Sequence, residues 1–307
     1  MEAGLKNKEI FYDDLLALRE DAKSLKDFWQ RQQSMNRSGE IPYNLRGSGM
    51  IFEELRPYQA GDDMRHVDWR AMARTGKLFS KVFCPEYANA VWLFADTHES
   101  MHFGSRRVMK SVLAAQAATL LAFCANDLSH AVGGGLLSAK HATVFQPRSN
   151  QVSLLPWLGQ LANYIDKPSA YSADKMLEQL KGMQQSIPRD DKVMLFTDLI
   201  FDDDAICSHL AELSISHQLY LFWLYDPFEQ NLPAVKNGFV TEAGLDGYVK
   251  LQQHQAAEAL YHKQWNNRVA NLKKLEDRGV FVKPLCTKDD VLSQLTQSMH
   301  DDIWAGV

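Results

Sequence analysis

The sequence predicts a doubly wound α/β protein with a mostly parallel sheet, preceded by an N-terminal helical and β-containing extension. Two observations lead there. The apolar runs Val91-Trp-Leu-Phe-Ala95 and Val193-Met-Leu-Phe-Thr197 read as strands buried on both faces, and each is followed at once by an aspartate, Asp96 and Asp198. Between such runs lie helical stretches of about ten residues or more, and strands alternating with helices imply parallel strands joined by crossovers. Ligands of such sheets bind beyond the C-terminal strand ends, so Asp96 and Asp198 are expected at one common edge.

The elements follow in order. Ile10 to Gln33 reads as a helix with an irregular apolar face (Ile10, Leu15, Leu18, Leu25), and Asn36 to Gly49 as a loop. The charged stretch from Phe52 to Arg74 contains a short helix that Asp62 or Asp63 can cap and Thr75-Gly76 can stop. Lys77 to Tyr87, rich in aromatic and β-branched residues, reads as a strand. Ser105 is placed to cap a long, Ala/Leu-rich helix from Arg106 to Cys124, and His130 to Ser138 reads as a buried strand. A helix over Ser172–Met183, a helix over Asp204–Leu213 and a strand over Gln218–Leu224 come next. A long helix from Tyr248 to Arg278, stopped by Gly279, leads to a strand over Val280–Leu285 and a last helix that Thr287 can cap. Gly133 to Gly135 permit close backbone packing, and Asp226-Pro-Phe-Glu229 reads as a turn whose acids can reach the same sheet edge.

Composition bounds the function. Asp and Glu exceed Lys and Arg by 38 to 33, which gives no global attraction to nucleic acid or anionic membrane. No apolar run approaches the roughly 18 residues of a membrane span. The N-terminus, Met-Glu-Ala-Gly-Leu-Lys, lacks an apolar signal core, so a cytoplasmic location is expected. Cys84, Cys124, Cys207 and Cys286 form no Cys-x-x-Cys pair and are expected as reduced thiols.

The heptapeptide Asp96-Thr97-His98-Glu99-Ser100-Met101-His102 supports two metal chemistries. His98-Glu99-x-x-His102 has the spacing of a zinc-protease site, and a metal-dependent hydrolase is the alternative function it suggests. That chemistry needs both histidines on one helix face and a third ligand, yet the motif follows a strand directly and Gly104 intervenes before the next helix. Coincidence of spacing is the better account. Asp96 and Ser100, with Asp198 from a later strand end, instead offer the hard oxygens that Mg²⁺ accepts. The plain alternative is that both aspartates only satisfy loop amides and cap helices.

The segment Arg56-x-Tyr58-x-x-Gly61-Asp62-Asp63-x-Arg65-x-Val67-Asp68-Trp69-Arg70-x-x-Ala73-Arg74-Thr75-Gly76 resembles the signature of domain-of-unknown-function family 58. The resemblance continues through Asp96 to Ser105, Thr197-Asp198-Leu199 and Asp226 to Pro233, over roughly residues 40 to 290. These are bacterial proteins with a von Willebrand factor A-like, Rossmann-like domain, often encoded beside MoxR-type AAA+ ATPases. The resemblance implies a metal-ion-dependent adhesion site in which Asp96 is the first Asp, Ser100 the second Ser and Asp198 the last Asp. Ser172, within Tyr171-Ser172-Ala173-Asp174, is the candidate for the Thr. His98 stands where the first Ser belongs; imidazole suits Mn²⁺, Ni²⁺ or Zn²⁺ better than Mg²⁺. Mg²⁺ or Mn²⁺ is therefore the cofactor to test, and a lapsed, metal-free site is the competing expectation.

The resemblance divides the chain into an N-terminal region, 1–87, and a von Willebrand factor A-like domain, 88–307. Around Trp69 the alternating charges of Arg56, Asp62, Asp63, Arg65, Asp68, Arg70 and Arg74 suit a buried ion-pair network or a partner-docking face. They do not suit a nucleic-acid patch, because the carboxylates cancel the basic charge. No nucleophile, base and oxyanion donors are recognisable together, so no catalytic residue is assigned. The expected function is a non-enzymatic interaction protein that works with a MoxR-type ATPase on client protein complexes, with a metal-free scaffold as a further alternative.

Overall fold

Asp96 and Asp198 end neighbouring strands of a six-stranded sheet in the structure, a computed structural model. It describes residues 10–36, 50–59, 67–85, 90–139, 143–149, 154–165, 170–201, 203–230, 239–241, 248–250 and 254–298. The chain forms two units, one of Met1–Ser38 with Asn89–Val307 and one of Gly39–Ala88. The N-terminal helices therefore belong with the sheet domain and not with the signature segment, unlike the division at residue 87.

The first unit opens with α1 (Tyr12–Ala17) and α2 (Arg19–Asn36), two helices broken at Leu18 where one was expected. The second unit holds β1 (Met50–Pro57), α3 (Trp69–Thr75) and β2 (Phe79–Pro85), with β1 and β2 paired antiparallel. β1 lies partly in the stretch that its charges disguised. In the first unit β3 (Val91–Asp96) leads through a 3₁₀ turn (Glu99–His102) to α4 (Lys110–Asp127), β4 (Val132–Leu137), β5 (Thr143–Arg148), α5 (Leu155–Ile165), α6 (Ala173–Ser186) and β6 (Lys192–Thr197). Then come α7 (Asp204–Ser216), β7 (Gln218–Tyr225), α8 (Pro227–Gln230), β8 (Phe239–Thr241), β9 (Tyr248–Lys250), α9 (His254–Glu276), β10 (Phe281–Cys286) and α10 (Val291–Ser298).

The strand order is β10-β7-β6-β3-β4-β5, parallel throughout except for the edge strand β5. This is the doubly wound α/β class read from the sequence, and the order is compatible with a von Willebrand factor A-like fold. From β3 the chain runs outward through β4 and β5, then returns to the other side of β3 as β6. The reversal opens a crevice at the carboxyl ends of β3 and β6, where such sheets bind ligands.

β3, β4 and β6 are buried along their whole length, which explains their unbroken apolar runs. Helix α4 is apolar all round because it packs on β3 and is covered in turn by α2, α5 and α10. Gly134 lets β4 lie tight against β3, since a Cβ there would meet the Leu93 carbonyl oxygen at 2.1 Å. Cys124, Cys207 and Cys286 are free thiols.

Candidate functional site

The loop after β3 begins with Asp96, whose carboxylate is satisfied from three sides. Its Oδ1 accepts from the His98 amide at 2.8 Å and from the Tyr171 hydroxyl, and its Oδ2 accepts from Thr197 Oγ1 at 2.7 Å. Burial, and then the charge of Asp198 nearby, hold the Asp96 carboxyl above its ordinary value. His98 caps the 3₁₀ turn: its Nδ1 accepts from the Ser100 amide at 3.1 Å and lies 2.8 Å from Ser100 Oγ. The ring is 3% exposed and packs edge-on against Tyr171 and Phe201, with centroids 4.8 and 5.1 Å away.

Asp198 follows β6 and is fully buried. Its Oδ2 accepts from Lys110 Nζ at 2.6 Å, its Oδ1 from the Ile200 amide at 3.2 Å, and the Ser100 hydroxyl also bonds to it. Burial alone would raise this carboxyl, but the Lys110 ammonium, helped by the Ser100 hydrogen bond and the Arg268 charge, holds Asp198 below its ordinary value. Leu199 takes a left-handed turn, φ 46°, an uncommon backbone for a branched residue, next to the site.

Lys110 Nζ also donates to Glu229 Oε1 at 2.8 Å, and Arg268 Nη1 lies 3.6 Å from the same oxygen. Burial would lower the lysine, yet Asp198 and Glu229 hold it above its ordinary value. Glu229 Oε2 accepts the Asp226 amide at 2.8 Å. Asp226 in turn accepts from the amide and hydroxyl of Ser105 and from the Thr287 hydroxyl. These bonds explain two departures from the sequence reading. Ser105 does not cap α4, which starts at Lys110, and Thr287 does not cap α10, because both side chains serve Asp226.

Asp96, His98, Ser100 and Asp198 thus meet at one edge. Ser172 does not join them: exposed, it caps α6 by accepting from the Lys175 amide at 3.4 Å. The residue before it, Tyr171, supplies the hydroxyl. Lys110, Tyr171, Thr197 and Arg268 were missed, whereas Glu229 lies at the edge that the Asp226 to Glu229 turn was expected to reach. Lys110 had a readable signal, since a cation in the first turn of an otherwise apolar helix opposes the helix dipole and demands a buried partner.

The hydrolase motif does not assemble. His98 is a cap, and 3₁₀ geometry, with three residues per turn, sets positions four apart about 120° from each other. Among the described residues, no group of three His, Cys, Asp or Glu side chains could hold a metal. The oxygen ligands do not fit a divalent cation either. Mg²⁺ asks for an octahedral oxygen shell at about 2.0–2.1 Å, whereas both aspartates are already engaged by N–H and O–H donors and by an ammonium. At about 4 Å, with an effective dielectric constant near 20, a dication and that ammonium repel by on the order of 8 kcal/mol.

In the signature segment, Asp68 accepts from the Arg70 and Ala71 amides at 2.9 and 3.0 Å and so caps α3, and Gly76, φ 69°, ends it. Asp62 and Asp63, expected as caps, lie with Arg65 outside the described residues. Trp69 is 56% exposed, and Arg70 and Arg74 are exposed beside it, because α3 buries only Ala71. These members do not form the buried network considered above; Arg56 is half-buried in β1.

Fold and edge together define a doubly wound α/β protein with paired carboxylates at its switch-point crevice. The chain belongs to the family described as "Protein of unknown function DUF58", whose profile matches residues 54–270. It is 23% identical over 221 residues to uncharacterized proteins Rv1480 of Mycobacterium tuberculosis and Mb1516 of Mycobacterium bovis, covering 69% of this chain and 69% of each relative. Similar solved structures include BatB from Bacteroides thetaiotaomicron (12% identity, TM-score 0.39, 69% of this chain and 98% of that one). Another is an aerotolerance-related membrane protein from Bacteroides fragilis (13% identity, TM-score 0.34, 62% and 98%). No helix among the described residues is long and apolar enough to cross a membrane.

Proposed function

We propose that this chain is a non-enzymatic cytoplasmic interaction protein that works with a MoxR-type AAA+ ATPase in assembling or activating other protein complexes. Its docking face is formed by the loops at the carboxyl edge of the sheet. The observation that supports this reading is a division of labour within those loops. Their inner groups are bonded in two sets that hold the loops in one arrangement: Asp96 to His98, Tyr171 and Thr197, and Lys110 to Asp198 and Glu229, with Ser100 also on Asp198. The same loops turn Phe103, 40% exposed, and the exposed Arg106, which lies over the Phe228 ring at 5.3 Å, toward solvent. A rigid edge with an aromatic and an arginine outward suits a protein interface, where these residue types dominate the binding energy. The ATPase as partner comes from the family resemblance. Affinity capture from native lysate, with and without ATP and Mg²⁺, tests it: recovery of an AAA+ ATPase supports the reading, and its absence under every condition removes the partnership.

A further inference from the structure

Lys110 is fully buried, in the first turn of α4, where the helix dipole and the loss of water both oppose a positive charge. What holds it there is a pair of carboxylates from different parts of the chain: Asp198, after β6, at 2.6 Å and Glu229, in α8, at 2.8 Å. Ser100, on the loop after β3, bonds to the same Asp198, and Asp226 bonds through its amide to the same Glu229. The ammonium therefore sits among the groups that a divalent cation would have to bridge, and it ties the ends of β3, β6 and β7 through them.

We propose that Lys110 Nζ is the resident cation of this edge, filling the electrostatic place of a divalent metal, so that the fold assembles the site without Mg²⁺ or Mn²⁺. The inference goes beyond the interaction role and does not rest on it. Three features follow from one substitution of charge carrier. The site keeps the Lys110 charge between Asp198 and Glu229, with Arg268 on the far side of Glu229, the carboxylate oxygens receive N–H and O–H donors where a metal would want lone pairs, and His98 is free to cap a turn because no hydroxyl ligand is needed at its position.

The test is a Mn²⁺ titration of the metal-stripped full-length protein followed by electron paramagnetic resonance, with melting temperature recorded in parallel. The expected result is no uptake at the edge up to millimolar free Mn²⁺, and a melting temperature that neither chelator, Mg²⁺ nor Mn²⁺ moves. Binding that survives Asp198→Asn lies elsewhere and agrees with the proposal. One equivalent of Mn²⁺ bound by the wild type and lost in both Asp96→Asn and Asp198→Asn overturns it. Lys110→Met supplies the converse arm: with the ammonium gone, Mn²⁺ should raise the melting temperature of this variant while leaving the wild type unmoved. A folded Lys110→Met that ignores Mn²⁺ also overturns the proposal. Should that variant fail to fold, the wild-type titration decides alone.

Discussion

Lys110 and Asp198 form a 2.6 Å ion pair in which neither side chain is more than 1% exposed, so the start of α4 is fastened to the end of β6 inside the protein. Removing one partner of such a pair leaves a buried charge uncompensated, which costs about 3–5 kcal/mol. Lys110→Met is expected to lose that much in urea unfolding. The triple variant with Asp198→Asn and Glu229→Gln should recover part of the loss, because the two carboxylates that faced the ammonium are then neutral, while Arg268 still loses its Glu229 partner. A Lys110→Met protein within about 1 kcal/mol of wild type would mean that the pair contributes little.

Asp96 predicts a pH effect with a definite sign. Its carboxyl sits above its ordinary value in the folded protein, first through burial and then through Asp198. Its contribution to stability is therefore complete below the unfolded value, near 3.9, and is lost as pH rises through the raised folded value. Asp96→Asn, which cannot ionise, should match wild type most closely in acid and gain on it toward neutrality, by about 1.4 kcal/mol per pH unit of the shift. Unfolding curves of the two proteins between acid and neutral pH check this. A gap that stays constant with pH removes the argument.

Tyr171 and Ser172 are neighbours in sequence with different work. Tyr171→Phe keeps the ring against His98 and Phe201 but removes a donor from a buried carboxylate, at a cost of about 1–3 kcal/mol. Ser172→Ala removes only an exposed helix cap, worth about 1 kcal/mol or less here. Denaturant midpoints should rank Tyr171→Phe as the more damaging change. The reverse order would place the site hydroxyl on Ser172 after all.

What was legible in the sequence was whatever burial writes into hydropathy. β3 and β6 are unbroken apolar runs because they lie mid-sheet, and the aspartates that end them could be placed at one edge before any side chain was seen. The rest depends on contacts between residues far apart in the chain. Ser105 and Thr287 look like helix caps locally, yet their hydroxyls serve Asp226, 121 and 61 residues away. β1 was hidden because its strand carries charges, and β5 because an edge strand lacks the apolar run of its neighbours. Ser172 was favoured by its side-chain type, whereas the backbone delivers the hydroxyl of Tyr171. The pairing of Lys110 with Asp198 and Glu229 spans 88 and 119 residues and leaves no local pattern beyond one lysine in an apolar helix.

The docking face makes the last prediction. Phe103 and Arg106 stand outward on the loops whose inner groups hold the edge together, so truncating them should leave the fold intact and weaken partner binding. A hot-spot truncation costs about 2 kcal/mol or more, a loss of roughly thirtyfold in affinity. Arg106→Glu is therefore expected to keep the wild-type melting temperature and Phe103→Ala, whose ring lies 6.0 Å from Lys110 Nζ, to lower it slightly, while each cuts capture of the ATPase by about that factor. Binding assays with the recovered ATPase measure this directly. If both variants bind as the wild type does, the contact lies elsewhere. The exposed face of α3, with Trp69, Arg70 and Arg74, is then the next surface to alter: a Trp69→Ala variant that loses capture would move the docking role to the signature segment.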